Sequence, residues 1–294
     1  MTGNPVYYYH PDDDQFSLDF VNPDREKIDD RLDSYEKATE TRVRSYDLDE
    51  TVYGIYAKTN DVDDAGEIEY GFDAAFAKMT PDTRVIVRNF LGIFRTIRDG
   101  QSETEADSLD AYKEIDIERV PDALDRVHWS GTASQVGAQL ASNLVLCHAL
   151  PNANHRTALS MYESYVNAVT GPTYELPSLV TDDETWHAWV DDFVVDPKRL
   201  LTVRRNVGLF GHLSQFGCDV VRRKGDVDVP LAEFELDLYP HEALSKYARI
   251  HEQRTSAFVE RLRSRTNDER LTGTSGIDRG EFADAIRREI QSRR

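Results

Sequence analysis

The residues of this chain best suited to chemistry lie close together near its middle, in the segment from His148 to Arg156. The segment supplies an imidazole that can accept a proton, asparagine amides that can bind polar groups, and a guanidinium with a permanent positive charge. Nucleotide chemistry uses such groups, because negative charge develops on phosphate oxygens as a bond to phosphorus breaks. The segment is therefore the candidate for phosphate binding and proton transfer.

A predicted helix leads into this segment, and a loop follows it. Apolar residues recur at steps of three and four from about Ala133 to Cys147, which predicts a helix, and His148 continues its apolar face. Pro151 then disfavours helix at Leu150 and forces a loop. His148 is thus predicted at the point where the first helix ends.

A second predicted helix runs from about His155 to Val169. Asn152 and Asn154 both precede its apolar stripe and are suitable N-caps. The backbone N–H groups in its first turn have no partner within the helix and lie at the positive end of the helix dipole, so they should hold an anion. Arg156 adds a fixed positive charge at the same place.

The segment resembles the signature of the Fic and death-on-curing (Doc) proteins. In that signature a histidine is followed by phenylalanine two residues on, then by an acidic or asparagine position, a small residue, asparagine and, after one more residue, arginine. Members transfer a phosphate-containing group from a nucleotide, most often AMP from ATP, to a hydroxyl of a target protein, whereas Doc toxins are protein kinases. By position, His148 matches the catalytic histidine and general base, and Asn152 matches the metal-ligand position.

The remaining motif positions match phosphate-binding parts of the same family. Asn154 and Arg156 match its phosphate-binding pair. Ala153 and His155 belong to the loop whose backbone forms the anion hole. The resemblance thus predicts one catalytic residue, a phosphate site and a metal ligand. The predicted site residues are His148, Asn152, Ala153, Asn154, His155 and Arg156.

Four positions depart from the most common pattern. Leu150 replaces the phenylalanine, a packing role that another large apolar residue can fill. Asn152 replaces an acidic residue, although a magnesium site usually includes a carboxylate. His155 stands where the AMP-transferring branch has glycine, and Leu159 stands where that branch has a second arginine, so the motif is closer to the Doc branch. The sequence leaves two alternatives for the transferred group, phosphate and AMP.

The resemblance implies ATP as the substrate nucleotide, Mg²⁺ as cofactor and a target protein with a modifiable hydroxyl as partner. If the protein is the toxin of a toxin–antitoxin pair, an antitoxin is a further expected partner. The alternative interpretation is a catalytically inactive Fic-like module that binds a protein partner, because degenerate members of such a family keep the helices and lose the chemistry.

The expected fold is mainly α: a Fic-like helical bundle with a small β-hairpin flap and extra N- and C-terminal elements. The predicted division is an irregular N-terminal extension over residues 1–75, a helical core over 76–220 and a C-terminal helical extension over 221–294. Outside the motif, apolar periodicity predicts helices from Thr80 to Gly100 and from about His241 to Arg263, and Thr51 to Ala57 is a candidate strand.

The flap is assigned to residues Tyr112 to Val120, with Ile115, Ile117 and Val120 as its apolar positions. In Fic-like proteins, such a hairpin covers the nucleotide and aligns the target by strand addition. The sequence therefore predicts a target-aligning hairpin ahead of the motif.

The composition is strongly acidic, with a net charge of −19 and an isoelectric point near 4.8. Only 8 of the 35 basic residues are lysines, a pattern that favours a halophilic cytoplasm, where salt screens the repulsion between carboxylates. An ordinary acidic cytosolic protein is the alternative. Direct binding of nucleic acid is disfavoured, because phosphates repel a negative surface and the arginines are scattered among acids.

Cysteine usage and hydropathy also restrict the function. Cys147 and Cys218 form no C-x-x-C pair, so neither a disulfide framework nor a zinc site is indicated, and Cys147 is interpreted as a core residue. No apolar run has the length of a membrane span, and the first residues lack the basic and apolar regions of a signal peptide. The expected location is cytoplasmic, with no membrane contact.

Overall fold

The computed structural model describes residues 5–36, 38–58, 71–102, 114–172, 174–177, 184–266, 271 and 273–292. Within these ranges the chain is mainly α-helical with two small β-sheets, which confirms the predicted class. No helix in these ranges combines the length and apolar character needed to cross a lipid bilayer. The chain forms two compact units: Met1–Asp61 with Lys198–Tyr247, and Val62–Pro197 with Ala248–Arg294.

The first unit contains the strands, and helix α1 (Arg25–Asp33) follows the third of them. Strand β1 pairs in parallel with β6, which pairs antiparallel with β7, and the second sheet is antiparallel with the order β2-β3-β5-β4. These strands are β1 (Val6–Tyr7), β2 (Tyr9–His10), β3 (Asp13–Asn22), β4 (Thr41–Asp47), β5 (Thr51–Lys58), β6 (Val220–Arg222) and β7 (Asp228–Pro230).

Residues 5–58, where described, form strands and a helix, whereas the sequence predicts an irregular extension over residues 1–75. The candidate strand from Thr51 is confirmed as β5. Strand β3 escapes prediction because three consecutive residues, 16–18, are buried and the pairing register shifts between Leu18 and Phe20. Both features interrupt the two-residue alternation by which strands are recognised.

The second unit consists of helices around one core. Helix α6 packs against α5, α3 and α9, and α4 packs against α5. Its helices are α2 (Asp73–Lys78), α3 (Pro81–Ser102), α4 (Val120–Asp125), α5 (Ala133–Cys147), α6 (Asn154–Thr170), the first part of α7 (Glu184–Gln215), the later part of α8 (Pro240–Thr266) and α9 (Arg279–Ser292). Four of these helices, α3, α5, α6 and α8, confirm the helices predicted from apolar periodicity.

The boundaries between the units differ from the predicted linear division at residues 75 and 220. One boundary falls inside α7 at Pro197, and another falls inside α8 after Tyr247. A linear division of the chain cannot anticipate this, because each unit combines segments that are far apart in sequence.

Helix α5 is anchored at its start by a capping box. The Thr132 hydroxyl accepts a hydrogen bond from the Gln135 N–H (3.3 Å), and the Gln135 side chain accepts one from the Thr132 N–H (3.0 Å). The Ala133 N–H donates to the Thr274 carbonyl (2.8 Å), which ties the helix start to the segment before α9. These bonds satisfy first-turn N–H groups and fix the helix that ends at His148.

The predicted hairpin flap is wrong for its described part. Tyr112 lies outside the described residues, whereas Ile117–Arg119 form a 3₁₀ helix and Val120 begins α4. Ile117 and Val120 are both buried, three residues apart as in a helix, and Pro121 occupies the first turn of α4, where proline is favoured. The apolar spacing is therefore helical rather than strand-like.

Gly137 allows α5 and α6 to pack closely. A Cβ atom built at Gly137 would lie 2.8 Å from Cδ2 of the buried Tyr162 ring on α6. We expect Gly137→Ala to lower the free energy of unfolding by about 1–3 kcal/mol, because overpacking forces side chains or helices to shift. Denaturant unfolding monitored by circular dichroism measures this change.

Gly208→Ala is the matched control, since Gly208 lies inside α7 and a Cβ atom there would meet no atom within 4 Å. This substitution should leave stability unchanged or raise it by about 0.5–1 kcal/mol, the usual gain of alanine over glycine in a helix. Equal effects of the two substitutions would contradict the close packing at Gly137.

Candidate functional site

The six predicted site residues lie in one continuous stretch: the loop between α5 and α6, and the first turn of α6. Val136, Leu140 and Leu144 on α5 are buried, so the helix that precedes the loop is held firmly in the core. The loop follows Cys147, and helix resumes at Asn154. This agrees with the helix–loop–helix arrangement predicted from the sequence.

Left-handed backbone conformations occur at both ends of this loop. His148, the C-cap of α5, has φ 50° and ψ 48°, and its N–H donates to the Val145 carbonyl (3.2 Å). Ala153, the N-cap of α6, has φ 51° and ψ 19°. Each conformation costs about 1–2 kcal/mol for a residue other than glycine. Among the described residues, Asp226 is the one other non-glycine residue with positive φ, so the strain is concentrated where the candidate catalytic residue lies.

Asn154 closes the loop with its side-chain amide. Its Oδ1 atom accepts from the Leu150 N–H (3.1 Å), and its Nδ2 atom donates to the carbonyls of Leu150 (2.9 Å) and Asn152 (3.4 Å). The side chain is buried. Asn154 therefore shapes the loop, a role that sequence reasoning missed, and the binding of phosphate by this side chain stays a prediction. The N-cap itself is Ala153, not Asn152 or Asn154.

We expect Asn154→Ala to lower the free energy of unfolding by about 2–3 kcal/mol, because it leaves buried backbone groups at Leu150 without their partner. Thermal and denaturant unfolding measure the loss. Asn143→Ala is the control: Asn143 lies within α5, where alanine has the higher helix propensity, so stability should stay equal or rise. An Asn154→Ala protein as stable as the wild type would show that these bonds do not hold the loop.

The N-terminus of α6 has the properties of an anion site. The N-cap residue, Ala153, makes no side-chain capping bond, and the helix itself offers no acceptor to the N–H groups of its first turn. Arg156 lies in that turn and is exposed, and no hydrogen bond or ion pair engages its guanidinium among the residues that the structure describes. A cation at the positive end of a helix dipole is electrostatically unfavourable, and a bound anion would relieve this.

The segment from His148 to Arg156 contains no carboxylate that could bind a magnesium ion. Asn152 is buried and offers a neutral amide oxygen, whereas magnesium sites in proteins usually include one or two carboxylates. Within the described ranges, no group of three or more histidine, cysteine, aspartate or glutamate residues is arranged to hold a metal ion. The segment alone thus lacks the carboxylate ligands that magnesium usually binds in proteins, and the binding of Mg²⁺ at Asn152 stays a prediction.

His155 lies at the end of a column of aromatic rings. Its ring contacts the Phe193 ring edge-on, with centroids 6.2 Å apart. Phe193 stacks on Phe258 (3.7 Å), Phe258 on Trp189 (4.5 Å), and Trp189 contacts Trp186 (4.7 Å). The column fixes the His155 ring beside the first turn of α6. The sequence shows the apolar stripe on α7, but stacking against α8 depends on tertiary contacts.

Two further features at the loop were missed by sequence reasoning. The Asp116 N–H donates to the Ala149 carbonyl (2.8 Å), so the segment before α4 holds the backbone beside His148. Thr157, directly after Arg156, is fully buried, and within the described part of the chain its hydroxyl makes no hydrogen bond. The sequence does not indicate that the hydroxyl of a threonine within an apolar helix is buried without a hydrogen-bond partner.

Comparisons with curated proteins and with solved structures gave no match. A family model matches the chain over residues 2–290, almost its whole length. The chain therefore belongs to that family, which is described as a family of unknown function (DUF8172).

Proposed function

We propose that this protein is a Fic/Doc-type transferase that moves a phosphate-containing group, phosphate or AMP, from ATP to a hydroxyl of a target protein. The observation that carries the proposal is the exposed Arg156 guanidinium at the uncapped N-terminus of α6, one loop away from His148. Anion-binding donors and a potential base then lie on the same short stretch of chain. We expect such an enzyme to act in the cytoplasm, where ATP is abundant, and a toxin of a toxin–antitoxin pair is one form that it takes.

In the proposed reaction, the His148 imidazole takes the proton from the acceptor hydroxyl as its oxygen attacks phosphorus. If AMP is transferred, the bond between the α-phosphorus and the bridging oxygen breaks and pyrophosphate leaves. If phosphate is transferred, the bond to the γ-phosphorus breaks and ADP leaves. The proton passes from His148 to solvent, and the enzyme returns to its starting state.

Arg156 and the first-turn N–H groups of α6 stabilise the negative charge that develops on the phosphate oxygens. Such donors are effective because the helix holds them in place before the reaction begins. The left-handed conformations of His148 and Ala153 support the same proposal, since strained backbone residues cluster at functional sites.

Two observations favour the alternative, an inactive Fic-like module that binds a protein partner. The amide of Asn154 is engaged by the loop backbone, and Asn152 offers no carboxylate at the metal-ligand position. Such a module would keep the helical arrangement and bind a partner without transferring a group.

Incubation with Mg²⁺ and ATP labelled at either the α- or the γ-phosphate, in the presence of a cell extract, tests the proposal. A protein-bound α-label would indicate AMP transfer, and a γ-label would indicate phosphorylation. The label should be lost with His148→Ala. If neither label reaches protein and calorimetry detects no ATP binding, the transferase proposal is wrong and the binding module is favoured.

A further inference from the structure

A groove of about 990 Å³ lies in the second unit between α3, α6, α9 and the segment that follows α6. Its size is near the upper end of ligand pockets, which measure about 300–1,000 Å³. No residue of the His148–Arg156 segment lines it, so it is distinct from the candidate phosphate site. The lining residues that matter below are Ile93, Ile97, Glu163, Glu175, Ile286 and Arg288.

The groove has apolar walls on two sides. Ile93 and Ile97 line it from α3 and are partly exposed, one helical turn apart. Ile286 lines it from α9. Such walls can cover the methylene groups of an alkyl chain, with a gain of about 0.8 kcal/mol for each buried CH₂ group.

A partly buried carboxylate, that of Glu163 on α6, also lines the groove. It accepts a hydrogen bond from the Leu176 N–H (3.2 Å). No lysine, arginine or histidine forms an ion pair with it among the described residues. Burial raises the pKa of Glu163, and the neighbouring Glu175 raises it further. Within the described part of the chain, this carboxylate therefore has no counter-ion.

The described lining of the groove contains more acidic than basic residues. Glu175 lies on the segment after α6, and Glu289 and Arg288 lie on α9, whereas α3 contributes no charged residue to the lining. Among the described lining residues there are thus three carboxylates and one guanidinium. Arg288 is exposed, and among the described residues it forms no ion pair with Glu163.

We propose that this groove binds an alkyl chain ending in a guanidinium or ammonium group, with Glu163 as the counter-ion and the isoleucines against the chain. The charge and the apolar walls together fit this chemistry, because a long cationic side chain combines an apolar stem with a charged head. Such a cationic alkyl chain is present in an arginine or lysine side chain of a polypeptide and in a free polyamine. The proposal does not depend on the transferase activity.

Binding should depend on pH through Glu163. Protonation removes the counter-ion, so affinity should fall as the pH falls through the raised pKa of this carboxyl. Bound cation favours the ionised form, and binding near that pKa should therefore release a proton. Isothermal titration in two buffers with different ionisation enthalpies detects this release.

The test is calorimetric titration of the full chain, at constant ionic strength, with spermidine and with a five-residue capped peptide that has one central arginine. A peptide with norleucine at the centre is the uncharged control. Binding of the arginine peptide alone supports a polypeptide source, and binding of spermidine alone supports a free polyamine. Binding of neither, or equal binding of the norleucine peptide, overturns the proposal.

Glu163→Gln should weaken binding by about 10–100-fold, the usual effect of losing a charged hydrogen-bond partner. The glutamine oxygen can still accept from the Leu176 N–H, so we expect the fold to be retained. Glu233→Gln, in the first unit, is the control and should bind like the wild type. Undiminished binding by Glu163→Gln would show that the groove does not use this carboxylate.

The stability of Glu163→Gln gives an independent readout. Burial raises the pKa of Glu163 in the folded state above its pKa in the unfolded state. The free energy of unfolding therefore falls as the pH rises from the unfolded-state pKa through the folded-state pKa. At neutral pH the ionised group therefore costs stability. The variant should melt at a higher temperature than the wild type at neutral pH, and the difference should shrink in acid.

Discussion

Replacing His148 by glycine should lower the rate of group transfer by about 10²–10⁴-fold, the range expected when a general base is removed. The substitution should preserve the loop conformation, because His148 has φ 50°, a region that glycine adopts without steric cost. This one substitution therefore removes the imidazole without changing the backbone conformation that residue 148 must adopt.

Transfer of labelled phosphate or AMP, measured beside denaturant unfolding of the same preparations, checks this expectation. Added imidazole should partly restore transfer to His148→Gly, since the missing side chain leaves space for a base of the same size. His128→Ala is the matched control, because His128 is exposed outside the motif. An unchanged rate in His148→Gly would exclude His148 as the base.

The helices that position this site could be predicted from the sequence. The apolar stripes of α5 and α6 and the proline between them define two helices and a loop, and the structure has both helices within one or two residues of the expected bounds. Local signals sufficed here, because the helices carry their own periodicity and the capping residues of α5 lie within four positions of one another.

The conformation of the loop could not be predicted in the same way. Asn154 resembles an N-cap in sequence, but Ala153 takes that position while the Asn154 amide turns back to Leu150. The left-handed conformation of Ala153 carries no sequence signal, because alanine rarely adopts it. Such conformations are imposed by surrounding contacts rather than by local preference.

Long-range pairing explains the other differences. Strand β6, near residue 220, pairs in parallel with β1, near residue 6, and no local pattern relates strands so far apart. The apolar residues before α4 fit a strand pattern in sequence, whereas Ile117 and Val120 are buried on a helical turn. Short apolar runs fit either period, and the tertiary contacts decide between them.

Replacing Arg156 by alanine should have opposite effects on nucleotide binding and on stability. The substitution should weaken ATP binding by about 10–100-fold, because a hydrogen bond to a charged group contributes about 1.5–3 kcal/mol. The ATP affinity of Arg156→Lys should lie between those of the wild type and Arg156→Ala. An ammonium keeps the charge but cannot form the paired contacts of a guanidinium.

Without nucleotide, Arg156→Ala should instead be more stable than the wild type by about 0.3–1 kcal/mol, because a cation is removed from the positive end of the α6 dipole. Calorimetric titration with Mg–ATP and unfolding of the ligand-free protein measure the two effects. Arg126→Ala is the control: Arg126 is exposed at the C-terminal end of α4, where a cation is favourable, so stability should fall slightly and ATP affinity should not change. An unchanged ATP affinity in Arg156→Ala would contradict phosphate binding by this residue.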